Sequence, residues 1–279
     1  MDYTLITECG TVISQPGKYR LEKDIICGSF WPEGLVDALR IEANHVVVDF
    51  NGHHIAEGSS NSVGNGIRIG GFEDWISVTD VTLRGPGFVE GFQTDGIIVY
   101  NGSNHVTITK LIIQGNVDNG IIVGGSDVTV HDNVIRGSEY CGVEGWGSSM
   151  RFLYNHIGPE GAAPGRPLDC GIHIFGSETA GATGVEVRGN QIDAATGLSM
   201  EADGGLVTSN QIHGSSIALW IRGHGNRIVA NKFSNDGFDP PHVTPADIVD
   251  DSGCGANFYK ENWFTTALPA CVQVPRTGL

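Results

Sequence analysis

Apolar and polar positions alternate with a period of two along most of the chain, in short segments of similar length. This period is typical of β-strands, because successive side chains of a strand point to opposite faces. No segment shows the period of 3.6 residues that an amphipathic helix produces. The pattern therefore predicts an all-β chain made of many short strands.

The alternation forms an internal repeat. Each unit begins with a short apolar strand, usually preceded by a glycine or another small residue, and ends at an asparagine. Five units have the same interval of 12 residues from the first inward apolar residue to that asparagine: Leu39 to Asn51, Ile121 to Asn133, Val143 to Asn155, Leu198 to Asn210 and Leu219 to Asn231. Equal intervals indicate that each unit is one coil of a solenoid.

Successive asparagines are 22 residues apart from Asn133 to Asn155, 20 from Asn190 to Asn210 and 21 from Asn210 to Asn231. This length fits three short strands and their turns, which make one coil of a parallel β-solenoid. Asparagines at one turn of every coil would stack and bond the neighbouring backbone, so we interpret them as structural. The sequence predicts a single domain over residues 1–279, with an N-terminal cap (1–35), eight to nine coils (36–234) and a C-terminal cap (235–279).

These repeats resemble the right-handed parallel β-helix proteins of the pectate-lyase-like superfamily. The opening CGTVISQPGKYRLEKDI, the first coil DALRIEANHVVVDFNGHHI and the closing SGCGANFYKENWF also carry the resemblance, which covers nearly the whole chain. It implies an all-β, single-stranded right-handed parallel β-helix. It implies little chemistry, because the superfamily includes polysaccharide lyases, glycoside hydrolases, epimerases, binding proteins and a few enzymes of small-molecule pathways.

The repeat assigns the outward side chains of the first strand of each coil to two columns. The first column contains Arg40, Arg68, Ile98, Ile122, Glu144, His173, Ser199 and Trp220. The second lies two residues further on and contains Glu42, Gly70, Tyr100, Gly124, Trp146, Phe175, Glu201 and Arg222. Adjacent coils stack about 4.8 Å apart, so neighbours within a column are in contact range.

The later coils gather candidate catalytic and binding groups on one face, from the coil of Tyr100 onward. Glu144, His173 and Glu201 are the candidate catalytic residues, because a carboxylate beside an imidazole on a partly desolvated floor supplies a proton donor and acceptor. The candidate substrate-binding residues are Tyr100, Trp146, Phe175, Ser199, Trp220 and Arg222. A structural interpretation stays open, in which Glu144 pairs with His173, Glu201 pairs with Arg222, and the aromatic residues seal the surface.

Charge limits the partners. Asp and Glu total 32 against 16 Lys and Arg, a formal net charge of −16. This excess argues against capture of nucleic acid or an anionic membrane by charge. The chain lacks a Walker loop, an H-E-x-x-H motif and a G-x-S-x-G elbow. We expect no cofactor and no metal.

Six cysteines fall in sequence-adjacent pairs: Cys9 with Cys27, Cys141 with Cys170, and Cys254 with Cys271. Disulfides and buried thiols are both compatible with this spacing. The first residues lack a signal segment, which predicts a cytoplasmic protein. Disulfides would instead indicate a secreted protein in which Met1 stands in place of a removed signal peptide.

Three classes of function fit the candidate face. The first is a cofactor-independent isomerase, lyase or cyclase acting on a mostly apolar small molecule, such as a natural-product intermediate: aromatic residues would fold the substrate, Glu144 or His173 would move a proton, and Arg222 would steady an oxyanion. The alternative is a carbohydrate-active enzyme, a polysaccharide lyase or glycoside hydrolase, with Glu144 and Glu201 as a carboxylate pair on a neutral glycan. The third is a non-catalytic binding or interface protein, including a homodimer formed through an apolar face.

Overall fold

The computed structural model describes residues 2–28, 37–58, 64–71, 76–158, 169–176, 182–235, 246–253, 255–269 and 272. Among these residues there are strands and no helix, so none is long and apolar enough to span a membrane. The strands wind through successive coils, and strands of neighbouring coils pair in parallel. The predicted all-β parallel solenoid is confirmed.

Each coil contributes strands to three faces, which we name the first, second and third sheets. The first sheet contains β2 (Thr11–Ile13), β5 (Leu39–Ile41), β8 (Ile67–Ile69), β11 (Ile97–Val99), β14 (Ile121–Val123), β17 (Cys141–Gly145), β20 (Cys170–Ile174), the ends of β23 (Gln191–Met200) and β26 (Gln211–Ile221), β29 (Ala246–Asp250) and β31 (Ala267–Leu268). The second sheet contains β1 (Thr4–Ile6), β3 (Gly17–Leu21), β6 (Val46–Asp49), β9 (Thr79–Arg84), β12 (Asn104–Thr109), β15 (Thr129–His131), β18 (Arg151–Leu153), β22 (Glu186–Arg188), β25 (Leu206–Thr208), β27 (Arg227–Val229) and β30 (Phe258–Lys260).

The third sheet contains β4 (Ile25–Cys27), β7 (His54–Glu57), β10 (Phe88–Glu90), β13 (Ile112–Gln114), β16 (Val134–Arg136), β19 (His156–Gly158), the beginnings of β23 and β26, and β28 (Lys232–Asn235). Because β23 and β26 run through both, the first and third sheets join into one 18-stranded sheet. The short strands β21 (Ala182–Thr183) and β24 (Ala202–Asp203) form a separate pair.

The core lies inside the coils, where the inward residue of each strand stacks on its counterpart. The leading apolar residues of the first sheet, among them Ile97, Ile121 and Val143, are fully buried. The small residue before them is needed because the backbones of adjacent coils are close there. A Cβ atom on Gly96 would lie 2.6 Å from the carbonyl oxygen of Gly120, well inside van der Waals contact.

The predicted asparagine column is present as a ladder. The Asn190 side chain donates to the Phe152 carbonyl (2.8 Å) and to Asn210 Oδ1 (3.0 Å), and its own oxygen accepts from the Asn155 backbone N–H (2.8 Å). Each buried amide thus satisfies backbone groups that the turn leaves unpaired. The ladder contains Asn133, Asn155, Asn190, Asn210, Asn231 and Asn262.

Asn51 was wrongly assigned to this column. Its side chain is exposed, and the interior of its turn is filled by Phe50, which is fully buried. A Cβ atom on Gly87, in the next coil, would lie 2.4 Å from the Phe50 Cβ atom. In the first coils, apolar side chains therefore replace the asparagine ladder inside this turn.

A second polar ladder, which the sequence analysis missed, precedes the first sheet. Asn65 donates to Asp37 (2.8 Å) and Asn119 donates to Asp95 (3.0 Å) through their side-chain amides. One coil further, the Cys141–Cys170 disulfide continues this column, with its Cα atoms 4.6 Å apart. Cys9 and Cys27 form a second disulfide, whereas Cys254 and Cys271 lie outside the described residues.

The segments assigned to the caps also carry strands. Residues 1–35 include β1 to β4, and residues 235–279 include β29 to β31, all of which continue the parallel pairings of the coils. The number of coils and the division into caps and coils stay predictions.

Candidate active site

The register of the first sheet follows the predicted first column. Its paired residues, in order along the solenoid, are Arg40, Arg68, Ile98, Ile122, Glu144, His173, Ser199 and Trp220. Backbone hydrogen bonds just beyond these strands place the second column in the same way, since Trp146 N–H donates to Val123 and Phe175 N–H donates to Gly145. The candidate residues from Tyr100 to Arg222 therefore share one outer face.

Glu144 and His173 are directly paired in this register. The Glu144 Oε1 atom lies 3.8 Å from His173 Nδ1, an ion-pair distance that is too long for a hydrogen bond. Both side chains are recessed, with 17% of Glu144 and 27% of His173 exposed. The Cys141–Cys170 disulfide joins β17 and β20 three residues before this pair, which limits sliding of the two strands.

The surroundings shift both groups toward their neutral forms. Burial raises the pKa of Glu144, and the negative charges of Asp95 and Asp118 raise that pKa further. Burial lowers the pKa of His173, an effect that Arg222 reinforces and Glu201 opposes. A carboxyl group with a raised pKa beside an imidazole with a lowered pKa is suited to general acid–base chemistry.

An aromatic platform adjoins the pair. The Trp146 indole N–H donates to Asn101 Oδ1 (2.5 Å), and its ring lies 5.2 Å from the Phe175 ring at an interplanar angle of 32°. Phe175 in turn lies 5.4 Å from the His173 imidazole. Asn101 was not among the predicted site residues, and the sequence indicates it only by its position directly after Tyr100 of the second column.

Arg222 forms the other end of the site. It makes a salt bridge with Glu201, its Nε atom lies 3.8 Å from Asp251 Oδ2, and its guanidinium carbon sits 3.9 Å from the Trp220 ring centre. The Trp220 indole N–H also donates to Asp251 (2.7 Å). The ion pair of the structural interpretation thus forms between Glu201 and Arg222. Asp251 was not among the predicted site residues.

The remaining candidates occupy their predicted positions without completing a further cluster. Ser199 is buried between His173 and Trp220, and Tyr100 lies in the second column two coils before Trp146. Cys141, Cys170 and His173 place possible metal-ligand atoms within 4.8 Å of one another. Because the two sulfurs are bonded to each other, they lack the thiolate character that a metal ligand needs.

No protein-family model matches this chain, and no curated protein matches it. Solved structures do. The full-length tailspike protein 2 from Escherichia coli O157:H7 bacteriophage CAB120 aligns with a TM-score of 0.51 and 11% identity, over 89% of this chain and 37% of that one. The Dettilon tailspike protein aligns with a TM-score of 0.54 and 14% identity, over 93% of this chain and 62% of that one.

The DFA-IIIase from Arthrobacter chlorophenolicus A6, in complex with GF2, aligns with a TM-score of 0.54 and 14% identity, over 90% of this chain and 68% of that one. The chain shares the right-handed parallel β-helix fold of these proteins. It spans less than two thirds of the length of the two tailspike proteins.

Proposed function

We propose that the protein is a carbohydrate-active enzyme that hydrolyses glycosidic bonds of a neutral glycan on the face that carries Glu144. One observation supports this proposal above the others: Glu144 is recessed and paired with His173 beside the rings of Trp146 and Phe175. Burial raises the pKa of this Glu144 carboxyl group. A raised pKa favours a carboxyl group as a proton donor, and the rings offer an apolar surface to the face of a sugar.

Glu144 and Glu201 supply the two carboxyl groups that glycoside hydrolysis requires. Glu144 donates its proton to the glycosidic oxygen as the bond from that oxygen to the anomeric carbon breaks. Glu201, held by Arg222, acts at the anomeric carbon as the base that activates water or as the nucleophile that water later displaces. His173 lies beside Glu144, with its Nδ1 atom 3.8 Å from Glu144 Oε1, and bounds the space in which the carboxyl group acts.

The charges of the face favour a neutral sugar over a uronate. Arg222, the cation of the site among the described residues, is already paired with Glu201 and Asp251. Asp95 and Asp118 add negative charge around Glu144. A uronate carboxylate would meet these charges without a cation to neutralise it, which disfavours a uronate lyase.

The carbohydrate-active alternative is better supported than the small-molecule isomerase, lyase or cyclase. The candidate columns extend over several coils along an outer face, which suits an extended polymer. Small apolar ligands instead bind in cavities that bury most of their surface. The resemblance to a superfamily rich in polysaccharide-acting enzymes and the fold shared with DFA-IIIase support the same choice. The two disulfides support a working environment that is oxidising, as for a secreted protein.

The test is a turnover screen with neutral glycans, uronic glycans and apolar polyene or polyketide-like compounds. New reducing ends should form from a neutral glycan, and Glu144→Gln should lower kcat by about 1,000-fold, since one acid catalyst contributes about 10²–10⁴. Glu261→Gln, at an exposed carboxylate on the second-sheet side, is the matched control and should retain activity.

Each other outcome contradicts the proposal in a specific way. Unsaturated products from a uronic glycan would establish a lyase, and turnover of apolar compounds alone would support the small-molecule enzyme. Glycan binding without turnover in the unaltered protein would indicate a binding protein.

A further inference from the structure

The third sheet carries a groove on its outer face, away from the columns of the first sheet. It has a volume of about 480 Å³, within the range of ligand sites, and is lined by Ala56, Glu57, Glu90, Gly91, Gln114, Gly115 and Arg136. These residues come from four successive strands, β7, β10, β13 and β16, so the coil stacking itself fixes their spacing.

The groove exists because small residues stand at three positions in two adjacent columns, Ala56 in one and Gly91 and Gly115 in the other. Ala56 follows Ile26 in the column that continues through Glu90, Gln114 and Arg136. In the column beyond the strand ends, Gly91 and Gly115 follow Glu57, with φ angles of +81° and +67°. A Cβ atom on Gly115 would have no neighbour closer than 4.0 Å, which shows that the space above it is open.

A chain of hydrogen bonds fixes the polar wall of the groove. Gln114 donates from its amide to Glu90 Oε2 (2.6 Å) and accepts from Arg136 Nε (2.9 Å). The other Glu90 oxygen lies 2.9 Å from His54 Nδ1, and the His54 ring stacks on Phe88 at 4.0 Å. Polar side chains held in one orientation next to an aromatic pair can recognise a ligand without first losing side-chain entropy.

Glu57 adds a polar group without a partner. Both of its carboxylate oxygens are inaccessible to solvent and form no hydrogen bond with the described residues. Because neither oxygen is accessible, Glu57 forms part of the wall, and the acceptors open to a ligand are those of Glu90 and Gln114. The mixture of acceptors, an amide and a guanidinium matches the hydroxyl groups of a sugar, each of which both donates and accepts.

We propose that this third-sheet groove is a second saccharide-binding site, which holds a neutral sugar unit through Glu90 and Gln114. The class of ligand rests on the proposed function, whereas the groove itself does not depend on it. A glycan that occupies the groove would be held to the solenoid at a distance from the bond cleaved beside Glu144, which raises the local concentration of a long substrate.

The test counts binding sites by calorimetry in Glu144→Gln, which binds glycan without cleaving it. The probe is the short neutral oligosaccharide that the turnover screen identifies or, if none is turned over, inulin-, malto- and xylo-oligosaccharides in turn. We expect two sites per chain. Gly115→Asn should remove one of them, because asparagine tolerates the positive φ angle and fills the groove. Glu90→Gln should weaken the same site about tenfold.

Gly204→Asn is the matched control, since Gly204 has a φ angle of +66° and open space but lies outside the groove. Two sites should remain in this variant. Equal site counts in the Gly115→Asn and Gly204→Asn variants would overturn the groove proposal, even if the unaltered enzyme turns glycan over. Conversely, a site sensitive to Gly115→Asn in a protein without turnover would support the groove and overturn the hydrolase proposal.

Discussion

The indole of Trp146 lies over Gly124, the second-column residue one coil earlier. A Cβ atom on Gly124 would come within 2.9 Å of the indole Cζ2 atom and 2.7 Å of Asn101 Oδ1, the atom that accepts the indole hydrogen bond. The ring therefore reaches back across one coil to bond with a residue two coils away. The absence of a side chain at position 124 is what allows the aromatic platform to form.

We expect Gly124→Ala to displace Trp146 and weaken substrate binding. KM should rise about tenfold while kcat changes less, because the ring binds the sugar but moves no proton, and overpacking should cost about 1–3 kcal/mol of stability. Tryptophan fluorescence and steady-state kinetics measure both effects. Gly28→Ala, at a glycine with open space around it, is the control. Unchanged fluorescence and KM in Gly124→Ala would contradict the role of the platform.

The activity should fall as the pH rises through the pKa of Glu144, because the general acid must carry its proton. Asp118 helps to raise that pKa, so Asp118→Asn should move the alkaline limb of the pH–rate profile to lower pH. The shift should be less than about one pH unit, since Asp118 is exposed and solvent screens its charge. Asp132→Asn, on the second-sheet side, should leave the limb in place. An upward shift in Asp118→Asn would contradict the assignment of Glu144.

The same pKa shift should appear in folding stability. A raised pKa means that the folded state binds the proton more tightly than the unfolded state, so the stability contributed by Glu144 is greatest at acid pH and declines as the pH rises through the folded pKa. Glu144→Gln removes this titration, and its Tm relative to the unaltered protein should therefore increase by a few degrees from acid to neutral pH. Glu261→Gln should show no such trend.

His173 should show the opposite dependence. Its lowered pKa means that the folded state releases the proton more readily than the unfolded state, so stability increases as the pH rises between the two values. The stability of His173→Gln relative to the unaltered protein should therefore be highest at acid pH. Thermal melts of Glu144→Gln and His173→Gln over one pH series test both predictions. If the Tm of each variant relative to the unaltered protein changed with pH in the same direction, the burial of the pair would be contradicted.

The repeat predicts most of the fold because the same alternation of apolar and polar residues recurs in successive coils. Equal intervals from residues such as Ile121 and Val143 to the next asparagine leave a single register, and that register places Glu144 beside His173. Asn51 shows the limit of this reasoning. Its interval matches the others, but the buried Phe50 next to it competes for the interior of the turn and occupies it.

Contacts that cross more than one coil are harder to predict. The bond from Trp146 to Asn101 and the pairing of Arg222 with Asp251 depend on the direction of long side chains, which a period of two does not specify. The groove at Glu57 was missed for a related reason. Gly91 and Gly115 follow their strands as ordinary turn residues, and only the stacking of coils shows that they leave a shared space.

The asparagine ladder should contribute strongly to stability. Asn190→Ala removes the bonds to Phe152 and Asn210 and leaves the Asn155 backbone N–H without its acceptor, so we expect a loss of about 2–4 kcal/mol in the free energy of unfolding. Denaturant unfolding measures this loss. Asn51→Gly, at the exposed asparagine with a φ angle of +54°, should change stability by less than about 0.5 kcal/mol. Similar losses in both variants would contradict the special role of the buried ladder.

The two disulfides provide a matched pair that separates stability from activity. Their Cys residues are 29 apart for Cys141–Cys170 and 18 apart for Cys9–Cys27, so chain entropy predicts similar losses of about 3–4 kcal/mol when either pair is replaced by serine. Only Cys141–Cys170 joins the strands that carry Glu144 and His173. We therefore expect the Cys141→Ser/Cys170→Ser variant to lose kcat about tenfold and to shift its alkaline limb, because a 1 Å displacement of a catalytic group is costly. The Cys9→Ser/Cys27→Ser variant should retain kcat below its melting range. Equal kcat in the two variants would show that the disulfide stabilises the coil without positioning the catalytic pair.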